Sequence, residues 1–360
     1  MKSIIQDNLR SGVSGMMRVK NDGQFIEACV ESCISALDEL IIVWNDCTDN
    51  SAEEIERMRQ RYPDKIKTYE YTYKVYSTNL TKEEYEYAKS LPEDSPHLLC
   101  NYYNFCLSKV TCQYAVKIDA DQIYFTEKMK VWCDVLRKKT VIPLSSKVVL
   151  GSLIELWRKV VKKTNNVTKR LWHLLPANFP EWICECYEEF AKYQASHNGK
   201  AVILSGINVT KYNDVWYVPM GHQHELINIL PPFNGAGDHL FFKVNDGCYY
   251  RPFDCCIYNI LLSNKYTLIE EFVCPYKNVI GGYFWKHLNM ERPNVKAKIN
   301  EVFSKHPDYF IPYKELQNKC YYDINSIIEP EMYEMETRTF SQFVFPFSIK
   351  DLLIYDKENL

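Results

Sequence analysis

Short apolar runs alternate with amphipathic stretches through the first 125 residues. The apolar runs predict strands at 13–19, 40–44, 66–73 and 114–118. Helices are predicted between them at 24–37, 51–62 and 98–110, with a polar loop near 81–95. Asn50 or Ser51 is expected to cap the second helix. This alternation of strands and helices is typical of an α/β fold, with a mostly parallel sheet covered by helices on both faces.

Two of the predicted strands run directly into polar residues. The strand at 40–44 is followed by Asn45 and Asp46, and the strand at 114–118 is followed by Asp119 and Asp121. Ligands of parallel sheets bind at the carboxyl ends of the strands. The carboxylates of Asp119 and Asp121 would both reach one crevice there. A shared cation would offset their repulsion, and oxygen ligands suit Mg²⁺ or Mn²⁺. The alternative is that the two aspartates only cap the next helix.

The segment 150–175 has a different composition. It holds six lysines and arginines against the single acid Glu155, interleaved with leucine, valine and tryptophan. The pattern predicts a basic amphipathic helix or a helix pair, inserted at 146–200. Its polar face either stays solvated while the helix packs on the protein, or rests on anionic lipid headgroups.

The second half of the chain returns to β patterning. Strands are predicted at 201–210 and 215–220, joined by a hairpin turn at 212–214. A glycine-rich loop at 234–239 is expected to lead into an apolar helix. The pattern of residues 289–360 predicts a helical extension with loops. The predicted division of the chain is 1–145, 146–200, 201–288 and 289–360.

Composition narrows the class of protein. The 360 residues carry 43 basic and 46 acidic side chains, a net charge of −3, which argues against a nucleic-acid-binding protein. No apolar run reaches the roughly 18 residues of a membrane span, and the start lacks the apolar core of a signal peptide. We therefore expect a cytoplasmic protein, peripheral on the inner face of the membrane if 150–175 binds lipid. The 14 cysteines, with no C-x-x-C pair, are expected to be free thiols.

Several segments together resemble the GT-A glycosyltransferases of the family-2 type, the class of bacterial sugar transferases for lipopolysaccharide and capsule. The segments that carry the resemblance are 18–21, 25–37, 41–51, 104–107 and 116–121. The resemblance covers about 12–125 well and about 200–290 more loosely, and it leaves out the basic insert and the C-terminal extension. Where many members have two acids after the second strand, this chain has Trp44 and Asn45. The nucleotide base is therefore expected to be held differently.

The resemblance implies a Rossmann-like nucleotide-binding half, a nucleotide-diphosphate sugar donor and a divalent cation. The residues that it assigns to the nucleotide sugar are Arg18, Asn21, Asn45, Asp46, Asn104, Lys117, Asp119 and Lys286. The residues that it assigns to Mn²⁺ or Mg²⁺ are Asp119, Asp121 and the late histidine His287. The cation would stabilise the charge that develops on the leaving diphosphate.

A transfer that inverts the anomeric carbon needs a base for the acceptor hydroxyl. Asp238 is the first candidate, since it resembles the family's second acidic position; its alternative role is to cap the following helix. Glu225 is the reserve candidate. His222 and His224 alternate in a way that would place both on one face of a strand, as a second metal site or as ordinary packed residues. Aromatic residues that would line an acceptor groove, or else pack in the core, are Trp182, Trp216, Tyr249, Tyr250 and Trp285.

These observations predict a metal-dependent glycosyltransferase that moves a sugar, from a UDP-sugar by preference, to a glycan or lipid-linked acceptor, with inversion. One alternative is a sugar nucleotidyltransferase, although the loop at 17–23 lacks the glycine run that holds a triphosphate. The other is a glycan-binding or nucleotide-sugar-binding protein of the same fold without turnover. The presence of both the Asp119/Asp121 pair and a candidate base favours the enzyme.

Overall fold

The computed structural model describes residues 8–165, 180–235, 237, 239–253, 257–258, 266–316, 327–328 and 347; the side chains of 161–165 and 257–258 are not described. The strands are β1 (Arg10–Val19), β2 (Glu39–Trp44), β3 (Ile66–Glu70), β4 (Cys112–Asp119), β5 (Gln122–Tyr124), β6 (Ala201–Asn208), β7 (Thr210–Tyr212), β8 (Val215–Pro219), β9 (Phe233–Asn234), β10 (Leu240–Lys243), β11 (Tyr249–Pro252), β12 (Ile257–Tyr258), β13 (Tyr266–Thr267), β14 (Glu270–Val273), β15 (Asn278–His287) and β16 (Phe310–Pro312). The α-helices are α1 (Gly23–Cys33), α2 (Ser51–Arg61), α3 (Lys82–Lys89), α4 (Leu99–Leu107), α5 (Thr126–Leu136), α6 (Ser146–Asn165), α7 (Glu181–Asn198), α8 (Pro293–Lys305) and α9 (Tyr313–Leu316). Two 3₁₀ turns lie at Asn289–Glu291 and Pro307–Tyr309.

The chain divides into two units. The first unit comprises 1–122 and 240–277, and the second comprises 123–239 and 278–360. The division predicted from the sequence, with boundaries at 145, 200 and 288, stays a prediction.

The first unit is built on strands in the order β3-β2-β1-β4-β10. The first four strands are parallel, and β10 runs antiparallel to β4. The inner strands are almost completely buried, so their apolar runs need no alternation with polar residues. The predicted α/β fold with a mostly parallel sheet is confirmed here.

The helices of the first unit differ from the prediction in three details. Helix α1 ends at Cys33, four residues early. The expected polar loop contains α3, which begins with a capping box between Thr81 and Glu84. Neither Asn50 nor Ser51 caps α2 through its side chain. Instead, the Asp49 carboxylate accepts hydrogen bonds from the backbone amides of Ser51 and Gly23, at 3.0 Å each, and so ties together the starts of α1 and α2.

The second unit pairs β6 with β15 in parallel and with β9 antiparallel. The predicted hairpin is confirmed: β7 and β8 are antiparallel, and Asn213 and Asp214 both have the positive φ of a two-residue type I′ turn. The prediction of an apolar helix after the glycine-rich loop is wrong, because the chain continues into β10. Its buried Phe241 and Phe242 fill the sheet instead.

The predicted helical insert is confirmed as α6 and α7, which pack on each other. Gly151 allows the close approach, since a Cβ there would lie 2.2 Å from the carbonyl oxygen of Cys186. Arg158, counted as part of the basic surface, is instead buried. It donates to the Glu155 carboxylate at 2.7 Å, and the Tyr187 hydroxyl donates to the same group at 2.9 Å. No helix in the described ranges is long and apolar enough to cross a membrane.

Candidate active site

The carboxyl ends of β1 and β4 bring two predicted site residues side by side. Arg18, near the end of β1, is paired in register with Asp119, the last residue of β4. On its other side Arg18 is in register with Val43 of β2. Parallel pairing thus puts a guanidinium and a carboxylate at the same edge of the sheet, where ligands of such sheets bind.

Arg18 lies against an aromatic face. Its guanidinium carbon is 3.1 Å from the centroid of the Tyr103 ring and 5.4 Å from that of Tyr102. Within the part of the chain that the structure describes, the guanidinium has no hydrogen-bond acceptor and no ion pair. Burial alone lowers the pKa of Arg18, but the charges of Tyr103, Glu270 and Asp119 outweigh it and raise the pKa, so the side chain is always cationic. A fixed cation with five donors suits a phosphate or a carboxylate.

Lys117 brings a second positive charge to the same place. It is 4% exposed, and its ammonium lies 3.6 Å from Asp119 Oδ2 and 5.2 Å from the centre of the Tyr103 ring. Burial raises the pKa of Tyr103, although Arg18 and Lys117 oppose this effect, so the ring stays a neutral platform between the two cations. Two cations, Arg18 and Lys117, and two carboxylates, Glu270 and Asp119, thus act on one tyrosine.

Asn104 positions this platform, and its predicted contact with the donor stays a prediction. Its side-chain amide donates to the carbonyl of Tyr250 and accepts from the amide of the same residue, both at 2.8 Å. The rings of Tyr250 and Tyr103 stack with centroids 4.4 Å apart. Strand β11 is thereby fixed on α4, directly behind the ring that carries Arg18.

The other predicted nucleotide-binding residues are placed in the loops after β1 and β2. The side-chain oxygen Oδ1 of Asn21 accepts from the backbone amide of Thr48 at 2.7 Å, which joins the two loops. Asn45 is fully buried and donates to the carbonyls of Tyr71 and Tyr73, at 2.5 and 2.7 Å. Asp46 is exposed and lies 3.4 Å from Lys20. Asn21 and Asn45 therefore shape the loops, and Asn21 and Asp46 are both exposed; the assignment of the three residues to the nucleotide sugar stays a prediction.

Two carboxylates at the end of β4 could hold a divalent cation. Asp119 is the last residue of β4 and Asp121 follows it with one residue between them. Burial raises the pKa of the Cys29 thiol and the negative charges of both aspartates add to this, so both lie near that one group. Among the described residues, no three Asp, Glu, His or Cys side chains are grouped as a metal site. Two carboxylates are enough for a cation that keeps water and shares substrate phosphates, so the pair fits Mg²⁺ or Mn²⁺ bound together with a diphosphate.

The late residues of the prediction belong to the second unit. The ring of His287, at the end of β15, is held by Asn208, with 2.7 Å between Nδ1 and Oδ1. A metal ion would therefore have to bind Nε2. Lys286 is buried, and its ammonium lies 5.4 Å from the centre of the Tyr313 ring. The assignment of these two residues to metal and donor stays a prediction.

The candidate bases are placed as follows. Asp238 lies outside the described residues. Glu225 is exposed, in the loop where His222 and Ile229 form an isolated bridge. His222 stacks on Tyr309 with ring centres 3.8 Å apart, and the metal site proposed for His222 and His224 is not among the described groups. His222 is thus a packed residue.

The predicted acceptor-groove aromatics separate into two kinds. Trp285 and Tyr250 are buried, and the Trp285 indole donates to the side-chain oxygen Oδ1 of Asn234 at 3.1 Å. Trp182 is 58% exposed on α7, and Trp216 and Tyr249 are half-buried. The residue that sequence reasoning missed is Tyr103. Its signal was the adjacent pair of tyrosines at 102 and 103, one turn into the helix that precedes β4.

Comparison with known families bears on this arrangement. Residues 10–167 match the family model of CgtA, a beta-1,4-N-acetylgalactosaminyltransferase. The match covers less than half of the chain, and it includes Arg18, Tyr103, Lys117 and the two aspartates. It confirms the predicted resemblance to glycosyltransferases and supports a transferase. No curated protein matches the chain.

Three solved structures are similar at low scores. A mannosyltransferase from Pyrobaculum calidifontis, in complex with GDP-Man and Mn²⁺, is 15% identical over 37% of this chain and 34% of its own, with a TM-score of 0.25. This chain thus spans about a third of that protein. TarS (1–349) from S. aureus is 11% identical over 92% of this chain and 72% of its own, with a TM-score of 0.33. Glucosyl-3-phosphoglycerate synthase from Mycobacterium tuberculosis, with Mn²⁺, UDP and glucosyl-3-phosphoglycerate, is 13% identical over 51% of this chain and 65% of its own, with a TM-score of 0.23.

Proposed function

We propose that this chain transfers N-acetylgalactosamine from its UDP derivative to a hydroxyl of a glycan or lipid-linked acceptor. The observation that carries the proposal is Arg18, a cation stacked on Tyr103 with no hydrogen-bond acceptor among the described residues, in register with Asp119 at the carboxyl edge of a parallel sheet. The sugar comes from the name of the family that matches 10–167, and the uridine comes from the resemblance found in the sequence.

The charged groups around Tyr103 would bind different parts of the donor and its metal ion. Arg18 and Lys117 attract the diphosphate, and Arg18 presents two parallel donors that a phosphate accepts. Lys117 now lies 3.6 Å from Asp119; a cation bound by Asp119 would release the lysine toward the donor. A divalent ion held by Asp119 and Asp121 would supply further positive charge for the leaving diphosphate.

The acceptor hydroxyl must lose a proton as it attacks the anomeric carbon. We assign this proton to the Asp238 carboxylate, with Glu225 in reserve, on the family resemblance. A β-linked product from an α-linked nucleotide sugar requires inversion, in which a single base on the acceptor side accepts the proton. On the same resemblance, we assign His287 to the metal ion and Lys286 to a phosphate of the donor.

A thermal-shift screen tests the donor class. The protein is heated with UDP-N-acetylgalactosamine, UDP-glucose, GDP-mannose and CMP-sialic acid, each with Mn²⁺ and with EDTA. A ligand of the native state raises the melting temperature by mass action, so we expect a metal-dependent rise with the UDP sugars alone. A rise with UTP plus sugar phosphate, followed by diphosphate release, would replace the proposal by a nucleotidyltransferase. No shift with any donor would favour a binding protein of another ligand.

For the acceptor side, we propose that α6 rests on an anionic membrane. Fourteen large hydrophobic side chains are exposed in the described part of the chain, and nine of them lie between 141 and 182. Four that follow one another along α6 are Val149, Leu150, Leu153 and Leu156, which are 44% to 60% exposed. They lie opposite the buried positions Val148, Gly151, Ile154 and Arg158, which face α7.

The charge beside this apolar face fits the same partner. Lys147 and Lys159 are exposed next to it, each in an ion pair that water already weakens. The segment 150–175 adds four further lysines and arginines beyond Arg158 and Lys159. An apolar face bordered by lysines is typical of helices that lie in the headgroup region, and it would keep the enzyme near a lipid-linked acceptor.

Vesicle flotation tests this contact. We expect the protein to float with phosphatidylglycerol vesicles, and the L153D/L156D variant to lose at least about tenfold of that binding, because two charges cannot enter the headgroup boundary without cost. Val131→Asp, an exposed valine on α5, is the matched control and should float normally. Equal flotation of L153D/L156D would overturn the contact. So would a dimer in solution that L153D/L156D abolishes, since the face would then bind a second copy.

A further inference from the structure

Two cysteines face each other at one end of the antiparallel pair formed by β11 and β14. The register runs from Pro252 opposite Glu270 to Tyr249 opposite Val273. One position further, it places Cys248 opposite Cys274. Directly opposed residues of antiparallel strands have Cα atoms about 4.5–5.5 Å apart, which is within the range of about 4.4–6.8 Å that a disulfide spans.

The two thiols also differ in a way that suits exchange chemistry. The interaction of the two thiols, together with burial, raises the pKa of Cys248. The same interaction lowers the pKa of Cys274 to about 7, in spite of burial. Cys274 is half-buried, whereas Cys248 is buried, with its sulfur 3.5 Å from the carbonyl oxygen of Lys243. The more reactive thiolate is therefore the more accessible sulfur.

We propose that Cys248 and Cys274 form a reversible disulfide by exchange with a low-molecular-weight disulfide such as oxidised glutathione. The Cys274 thiolate attacks one sulfur of glutathione disulfide, and glutathione thiolate leaves. Cys248 then attacks the Cys274 sulfur of the mixed disulfide, and its proton passes to the second glutathione that is released. Two protein thiols are oxidised and one glutathione disulfide is reduced to two thiols.

The position of the pair gives the bond a structural consequence. Cys248 lies two residues before Tyr250, whose ring stacks on Tyr103 and whose backbone is bound by Asn104. Glu270, on the partner strand, contributes to the raised pKa of Arg18. A disulfide would thus fasten the two strands directly behind the Arg18 platform. The inference stands on this register and does not depend on the proposed sugar transfer.

Peptide mapping of the full-length protein tests the inference. The native protein is equilibrated with glutathione and glutathione disulfide, alkylated, and cut at lysine and before aspartate. This digestion separates Cys248, in peptide 246–253, from Cys274, in peptide 266–277, and from the neighbouring Cys255 and Cys256. We expect the two peptides to be joined in the oxidised sample and to separate again with reduced glutathione.

Variants make the outcome specific. C248S should hold a glutathione on Cys274, because the second exchange is then blocked, and C274S should hold no bond at Cys248. Cys47→Ser is the matched control, since Cys47 is the other partly exposed cysteine of the described residues, and it should leave the 248–274 bond unchanged. Alkylation of both cysteines in the oxidised sample, or a bond from Cys274 to Cys255 or Cys256, would overturn the inference.

Discussion

Arg18 and Asp119 are register partners on adjacent parallel strands, and Arg18 rests 3.1 Å above the centre of the Tyr103 ring. The pairing puts opposite charges at the edge of the sheet that binds ligands, while the ring holds the guanidinium in place without using its hydrogen-bond donors. The cation is therefore preorganised for an anion that arrives from outside.

Replacement of Arg18 should weaken donor binding. Arg18→Ala removes a charge-assisted contact of about 1.5–3 kcal/mol, so we expect the Kd of UDP-N-acetylgalactosamine to rise about 10- to 100-fold in calorimetric titration. Arg18→Lys should recover only part of this loss, because an ammonium lacks the planar fork. Arg57→Ala, which removes an exposed arginine paired with Glu27 in the same unit, is the control and should bind normally. Unchanged binding by Arg18→Ala would remove Arg18 from the donor site.

Glu39 should make stability depend on acid pH. This buried carboxylate accepts from Lys67 and Thr111, and from Ser14 at 2.5 Å; these bonds outweigh burial and lower its pKa from 4.5 to about 2. Because the folded pKa is the lower one, ionised Glu39 stabilises the fold above pH 4.5, and this contribution fades as the pH falls toward 2. Glu39→Gln should therefore cost about 3 kcal/mol in urea unfolding at pH 7, and much less at pH 3.

The control for Glu39 is the exposed Glu86, on α3. Glu86→Gln should change the free energy of unfolding by less than about 0.5 kcal/mol at either pH. If Glu39→Gln lowers the free energy of unfolding equally at pH 7 and pH 3, the effect comes from altered packing and not from the lost charge, which would contradict the prediction.

The buried and the exposed ion pair formed by Glu155 and Lys147 of α6 should differ in their contribution to stability. Glu155 is buried with Arg158 and Tyr187, so Glu155→Gln leaves a buried guanidinium without its counter-charge and should cost about 3 kcal/mol or more. Lys147 pairs with Glu185 at the exposed surface between α6 and α7, so Lys147→Gln should cost less than about 1 kcal/mol. Equal costs in thermal unfolding would contradict the assignment of Glu155 to the interior.

The features that could be predicted from the sequence are those that depend on neighbouring residues along the chain. Buried parallel strands are continuous apolar runs, so β1, β2 and β4, and the position of Asp119 and Asp121 at a strand end, were readable. The contact of Arg18 with the Tyr103 ring could not be predicted, since Tyr103 reaches Arg18 only when α4 packs on the sheet. The role of Glu39, just before the strand predicted at 40–44, could not be predicted, because its partners Ser14, Lys67 and Thr111 come from three other parts of the chain. Short apolar runs such as 240–243 do not distinguish strand from helix, which is why β10 was expected to be helical.

The most direct test of the account is the metal dependence of donor turnover in Asp119 and Asp121 variants. UDP release from UDP-N-acetylgalactosamine is measured against Mn²⁺ concentration for the wild type, Asp119→Asn, Asp121→Asn and the exposed control Asp64→Asn. We predict that the wild type and Asp64→Asn need the metal, and that each of the other two loses at least about 100-fold of the rate, since each removes charge that stabilises the transition state. Full Mn²⁺-dependent activity in both Asp119→Asn and Asp121→Asn would contradict the account.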